Sequence, residues 1–258
     1  MEPGSAFVTS EHAVEGRREP DDTAETRTTI DASTGCEQLE QRVIRFSRGR
    51  SSRRRNDDRQ EVLYVASGRG TLRLDGAEHA LEPEVGVFVA PGESYEVDND
   101  GAEDVVAVSV TAPVGPQGIG GNRRVTVPYA EQPPLPASPN REFRYLVNQD
   151  AGCLDVTQFV GLIPPGKAPH HSHTYDEVIY VLEGEGIFHV EGTQAPIGPG
   201  TCIHLPPLVP HCLENRGDRD LRVLGVFHPS GDPASRADGA NKGATPTSKQ
   251  SPNGKEEQ

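Results

Sequence analysis

The chain has 258 residues, of which 33% are hydrophobic and 5% aromatic, with no Trp and a formal net charge of −14. That charge argues against a broad nucleic-acid surface or an anionic membrane partner, and no apolar run approaches the roughly 18 residues that span a bilayer. Abundant Gly (28) and Pro (23) fit short strands joined by many turns.

Residues 1–27 are polar, with Glu15, Glu19, Asp21, Asp22 and Glu25 close together, and are expected to form a disordered acidic arm. Residues 1–7 show neither a basic leader nor an apolar core, so a cytoplasmic location is expected. A first structured unit is expected over 28–115. Within it residues 42–46 read as a strand, and 47–59 is a basic run closed by acids, read as a solvated loop. Glu61-Val62-Leu63-Tyr64-Val65 alternates and is β-branched, which predicts a strand. Further short strands are expected at 72–74, 85–89 and 105–110. Residues 116–140 are rich in Pro and Gly and read as a linker.

A second unit is expected over 141–229. Residues 156–163 predict a strand stopped by Pro164-Pro165-Gly166, residues 187–190 a return strand, and 221–227 the last one. Residues 230–258 lack periodicity and read as a disordered tail. Cys36, Cys153, Cys202 and Cys212 form no Cys-x-x-Cys pair and read as free, buried thiols.

The two units repeat one another. Glu177-Val178-Ile179-Tyr180-Val181 follows the run at Glu61 by 116 residues, and the same offset pairs Gly70 with Gly186, Tyr95 with His211 and Asn99 with Asn215. A constant offset with matched chemistry indicates an internal duplication.

The second unit carries the chemistry. His171 and His173 are two apart, so on extended chain both leave the same face. Glu177 opens a strand, and His211 follows a Gly- and Pro-rich turn. Three imidazoles and a carboxylate form a donor set of intermediate hardness, suited to Fe, Mn, Co, Ni, Cu or Zn. By alternation Ile179 and Val181 should face inward with Glu177, and Leu213 and Asn215 with His211. His170 should face away. His189 and His204 read as ordinary histidines or as helpers of the ligands, and Tyr175 and Asp176 are expected at the pocket rim.

At these residues the sequence resembles the cupin superfamily. His171-x-His173, three residues, Glu177, six residues and Gly184 match the first family motif, and Gly200, five residues, Pro206, then His211, three residues and Asn215 match the second. Two departures stand out: four residues rather than five separate Gly166 from His171, and Leu208 occupies a glycine position. The resemblance implies an all-β bicupin, two small antiparallel barrels of jelly-roll (double-stranded β-helix) type. It implies a metal at His171, His173, Glu177 and His211. The first copy keeps only Glu61, with Arg55, Asp57 and Tyr95 at the other positions. Arg has no lone pair to ligate a cation, so that barrel is expected to be metal-free, with Arg55 paired to Glu61 or Asp57 inside it.

The expected cofactor is one divalent transition metal, Fe(II) or Mn(II) first, with Zn(II), Ni(II), Co(II) and Cu(II) as alternatives. The expected function is a metal-dependent enzyme on a small organic molecule, an O2-using dioxygenase foremost. Non-redox isomerase, hydrolase, decarboxylase or lyase activity is the alternative, and non-catalytic binding a further one. A small-molecule substrate is expected, nucleic acid and membrane partners are not, and a homodimer is left open.

Overall fold

The central strands are apolar on both faces because each is packed twice, once into its own copy and once against the other copy. The computed structural model describes residues 5–138, 140–190 and 192–237. It begins with β1 (Phe7–Ser10). The first copy comprises β2 (Ala24–Ile30), β3 (Glu40–Phe46), β4 (Gly49–Arg50), β5 (Arg54–Arg55), β6 (Arg59–Ser67), β7 (Gly70–Leu74), β8 (Ala77–Leu81), β9 (Val85–Val89), β10 (Ser94–Asn99) and β11 (Val105–Pro113). Between the copies lie β12 (Thr126–Pro128) and β13 (Leu135–Ser138). The second copy comprises β14 (Arg141–Tyr145), β15 (Thr157–Ile163), β16 (Gly166–Lys167), β17 (Asp176–Glu183), β18 (Gly186–Val190), β19 (Thr193–Ile197), β20 (Thr201–Leu205), β21 (His211–Asn215) and β22 (Leu221–His228).

Each copy is a jelly roll of two facing antiparallel sheets. In the first copy the sheet β12-β9-β6-β11-β3-β2 faces β4-β10-β7-β8, with β5 also on β10. In the second, β1-β20-β17-β22-β15-β14-β13 faces β16-β21-β18-β19. Alternation then sorts the side chains. On β6, Leu63 and Val65 enter the first interior, while Val62 and Tyr64 join the layer between the copies. On β17, Ile179 and Val181 enter the second interior, while Val178 and Tyr180 meet that shared layer. Close approach there requires Gly86 on β9, where an added Cβ would sit 2.9 Å from Cβ of Leu146. The Arg222–Glu84 ion pair and the bond from the Cys153 thiol to Oε1 of Gln60 (3.2 Å) also cross this layer. All four cysteines are free and buried.

The duplication extends to the loops. Asn99 Nδ2 donates to the carbonyls of Phe46 and Glu103, at 2.8 and 2.9 Å. Asn215 Nδ2 donates to those of Ile163 and Arg219, both at 2.7 Å. Each asparagine therefore fastens a turn to its own sheet.

The expected acidic arm is corrected for the described residues. Residues 7–10 form β1, which pairs with β20 of the second copy, Ser10 opposite Thr201 and Phe7 opposite His204. In return β12, from the stretch read as linker, pairs with β9 of the first copy, Pro128 opposite Val85. Both are followed by a 3-10 turn, Glu11–Ala13 and Tyr129–Glu131. The two leading segments are thus exchanged between copies. Two of the acids are paired, buried Asp22 with Arg54 at 3.1 Å and Glu25 with Arg27 at 3.1 Å, while Glu15, Glu19 and Asp21 are exposed. Their partners are set by tertiary structure, which a reading of local charge density does not reach. Residues 1–4 and 238–258 lie outside the described residues, whereas 230–237, expected to be tail, pack on the second copy.

The first copy brings a second correction. Arg55 pairs with Asp57 at 2.6 Å, but both are exposed, at 53% and 68% of the side chain, so the pair lies outside the barrel. The registers show why. His171 bridges to His211, but it is Arg54 that stands opposite Tyr95. A shift of one residue sends the side chain to the other face. Buried Glu61 instead accepts hydrogen bonds from the hydroxyls of Tyr95 (3.1 Å) and Ser109.

Candidate metal centre

Local backbone pairing builds the site. His171 and His211 face each other across a narrow antiparallel bridge, N–H of each donating to the carbonyl of the other at 3.0 and 2.9 Å. The turn before His211 is fastened to the chain at His173 by the N–H of Leu208, which donates to its carbonyl at 2.7 Å. Leu208 has φ +65°, so the left-handed turn expected of a glycine is retained with a leucine in it. Glu177 comes from β17, opposite Phe227 on β22.

The three predicted histidines meet in one place, with Glu177 beside two of them. The donor atoms of His171, His173 and His211 lie within 4.8 Å of one another. Oε2 of Glu177 is 3.8 Å from Nε2 of both His173 and His211. A cation bonded at about 2.1 Å to each of several donors holds them roughly 3–4 Å apart, so small side-chain rotations suffice to close the set.

The tautomers follow from the other ring nitrogens. Nδ1 of His211 lies 2.9 Å from the Val209 carbonyl, and Nδ1 of His171 lies 3.3 Å from that of Pro169. A carbonyl only accepts, so both Nδ1 atoms carry the proton and both Nε2 atoms present a lone pair. His173 Nδ1 meets the Tyr175 hydroxyl at 3.1 Å, and that hydroxyl donates to the Asp232 carbonyl at 2.8 Å. The phenol oxygen is therefore the acceptor, and the third Nε2 is free as well.

Electrostatics agree with this donor set. Burial, with the neighbouring imidazoles His211 and His173 adding to it, pulls the pKa of His171 down to about 3. Burial pulls His211 down to about 4. Both rings are neutral at physiological pH, as ligation requires. Burial pushes Glu177 up to about 8, and its Oε2 has no hydrogen-bond partner. A buried carboxyl with an unpartnered oxygen beside three imidazole lone pairs keeps its proton at neutral pH unless a cation takes the proton's place. The residues present fit a divalent metal.

The surrounding cavity, about 90 Å³, is walled by Phe143, Phe159, Ile179, Leu213, Val223 and Phe227. Gly225 makes room for Phe159, whose ring would lie 2.3 Å from an added Cβ. Tyr175 stacks on His173, with centroids 4.9 Å apart and planes at 13°. Its expected place at the rim becomes a direct hold on one ligand. Replacing Tyr175 with Phe keeps the stacking and removes that acceptor. Metal affinity, read by competition with a chromophoric chelator, is expected to fall roughly 10-fold. A change of less than about twofold would mean the hydroxyl does not orient His173.

The remaining candidates fall elsewhere. His170 is exposed, and Nε2 of His189 pairs with Glu214 at 2.7 Å. Asp176 is not at the rim. It bonds His204 Nε2 at 3.0 Å, and with Cys36 these two form a polar group beside the layer between the copies. Sequence reading missed the segment 230–237, which folds back over the site. Asp232 and Ser235 hold the Tyr175 hydroxyl, and Ala237 N–H donates to the Ser172 carbonyl at 2.9 Å. The turn signal Gly231-Asp232-Pro233 was its one trace in the sequence.

Double jelly roll and clustered imidazoles define a class, and similarity to known proteins agrees with it. The chain belongs to the cupin domain family, whose model matches residues 42–111 and 159–227. It is similar to the oxalate-binding protein of Thermotoga maritima, 38% identical over 89 residues, covering 33% of this chain and 74% of that one. It is also similar to the uncharacterized protein MJ1618 of Methanocaldococcus jannaschii, 31% identical over 70 residues, or 26% of this chain and 56% of that one. The fold resembles the crystal structure of the putative glyoxylate-induced protein from Pseudomonas aeruginosa, with a TM-score of 0.75 at 19% identity, over 88% of this chain and 90% of that one. No described helix is long and apolar enough to cross a membrane.

Proposed function

We propose that this protein is a metal-dependent enzyme acting on a small organic molecule, with O2-using dioxygenation as the leading reaction class. The observation that carries the reading is the convergence of three neutral imidazoles and one buried, unpartnered carboxylate in an apolar cavity. When bound, a divalent ion such as Fe(II) or Mn(II) would supply Lewis acidity and, where redox-active, electron transfer to O2. His171, His173, His211 and Glu177 would hold it. Four protein donors would leave positions on the ion open for reactants, which is what separates a catalytic from a structural arrangement. Phe143, Phe159, Ile179 and Leu213 exclude water from those positions, so charges there are screened less than in solvent. Tyr175, held by residues 232–235, keeps His173 aimed and its proton on Nδ1.

The similarity to an oxalate-binding protein favours a second reading, in which the same centre binds or turns over its ligand without O2. Oxygen-electrode traces on the Fe(II)-loaded protein with a panel of small metal-chelating acids and enols decide between them. Stoichiometric O2 uptake with one of them supports the dioxygenase. Turnover or tight binding without uptake overturns it in favour of the second reading.

A further inference from the structure

We propose that the cavity takes a small carboxylate, received by the guanidinium group of Arg141, with the nearby Arg236 adding its positive charge. The proposal deepens the reading of this cavity as a substrate site and rests on it. Arg141 opens β14 and lines the cavity beside the three imidazoles. Its contact with the protein is a weak one, Nη2 to the Leu213 carbonyl at 3.4 Å. Arg236 stands three residues beyond Pro233, which also lines the cavity, and is close enough to act on both His171 and Arg141.

The two arginines are half-buried, and neither forms an ion pair among the described residues. Burial pulls the pKa of Arg141 down, the like charge of Arg236 adds to this, and no carboxylate acts on it. Two like charges partly out of water without a counter-ion are costly. Comparable guanidiniums in this chain are matched: Arg27 by Glu25, Arg123 by Glu93, and Arg222 by Glu84 and Glu183. Arg144 lies over the Tyr129 ring, and Arg59 is bonded to two carbonyls. At the cavity the partner is missing, and the group that completes it is an anion from solution.

The shape of the site narrows the anion. A planar, two-oxygen carboxylate matches the guanidinium fork. A cavity of about 90 Å³ with aromatic and aliphatic walls admits a small organic acid. Both arginines lie outside residues 159–227, so the family match does not assign them. In a chain of net charge −14 they form a local positive spot that draws an anion to this opening.

The test is calorimetric titration of the full-length protein, metal-free and Mn(II)-loaded, with oxalate and with its uncharged analogue oxamide, the metal content of each sample being measured. Arg141→Gln and Arg236→Gln are each expected to weaken oxalate binding about 10-fold or more, to weaken oxamide binding by much less, and to leave metal content unchanged. Arg141→Lys, which keeps the charge without the fork, is expected to fall between. Oxalate binding within about twofold of wild type in both Gln variants, phosphate binding in preference to oxalate, or no oxalate binding by the wild type would overturn the proposal. Metal content separates the two readings. A wild type that holds no metal refutes the metal-dependent enzyme, while oxalate binding by the metal-free protein still decides the role of the arginines.

Discussion

Glu177→Gln is expected to make the metal-free protein more stable at pH 8 and to impair metal binding at the same time. The folded-state pKa of Glu177, about 8, lies above its ordinary 4.5 because of burial. Between those values the native state holds a proton that the unfolded chain has released. Stability linked to this group is therefore full below about pH 4.5 and is lost as pH rises through 8. Gln removes the term, and its NH2 can donate to the Nε2 lone pair of His173 or His211, each 3.8 Å from the present oxygen. At pH 8 the gain should be roughly 4 kcal/mol, or about 10 °C in Tm. Near pH 5 the variant and the wild type should melt together. Metal affinity should fall by roughly 100-fold or more, since a charged donor is lost. Thermal melts of metal-free protein at the two pH values check the first part. A variant less stable than wild type at pH 8 would show that Glu177 is already satisfied without a cation.

The histidines titrate in the opposite sense. With His171 near 3 and His211 near 4, below the ordinary 6.5, their stability is full above pH 6.5 and is lost as pH falls through those values. The metal-free protein is thus weakened from both sides, by its carboxylate in alkali and its imidazoles in acid. This pattern follows from a site assembled for a cation rather than for its own stability.

Removing residues 1–13 is expected to have the largest effect of any change outside the site. β1 covers the β20 edge of the second copy. Val8 and Ala6 pack on its interior, and Phe7 on the layer between copies. Glu11 is buried and bound three ways: Tyr180 Oη donates to it at 3.1 Å, Arg45 Nη2 at 2.9 Å, and Arg27 Nη1 reaches its carbonyl at 3.1 Å. The loss of four paired residues, their apolar contacts and this carboxylate should total about 3–5 kcal/mol, a fall in Tm of roughly 10 °C. The bared edge should also promote association. Melting and light scattering of the truncated chain check both effects. A Tm within about 2 °C of wild type would mean that the exchanged strand does not pair in solution.

These results show which parts of the molecule lie in the local sequence. A period of two was enough to place Ile179 beside Glu177 and Leu213 beside His211, because a strand's facing is fixed by alternation alone. The duplicated runs at Glu61 and Glu177 reveal two copies, since both conserve the same alternating pattern at one offset. The strand exchange was not legible, because β1 is a strand only through a partner almost 200 residues away. Arg55 was misplaced because the offset of 116 fails by one residue in a loop, where no alternation holds the register. The cap at 230–237 has few apolar residues, and backbone carbonyls and hydroxyls make its contacts. Arg141 was visible as a strand residue, but its lack of a counter-ion is a property of three-dimensional packing.

The central claim is that one cation is held by His171, His173, Glu177 and His211. Metal stoichiometry by plasma emission, on the wild type, on His211→Ala and on the control His79→Ala from β8, tests it most directly. The account predicts about one divalent ion per chain in the wild type and the control, and less than about a tenth of that in His211→Ala. Equal metal in all three proteins, or none in any, would contradict it.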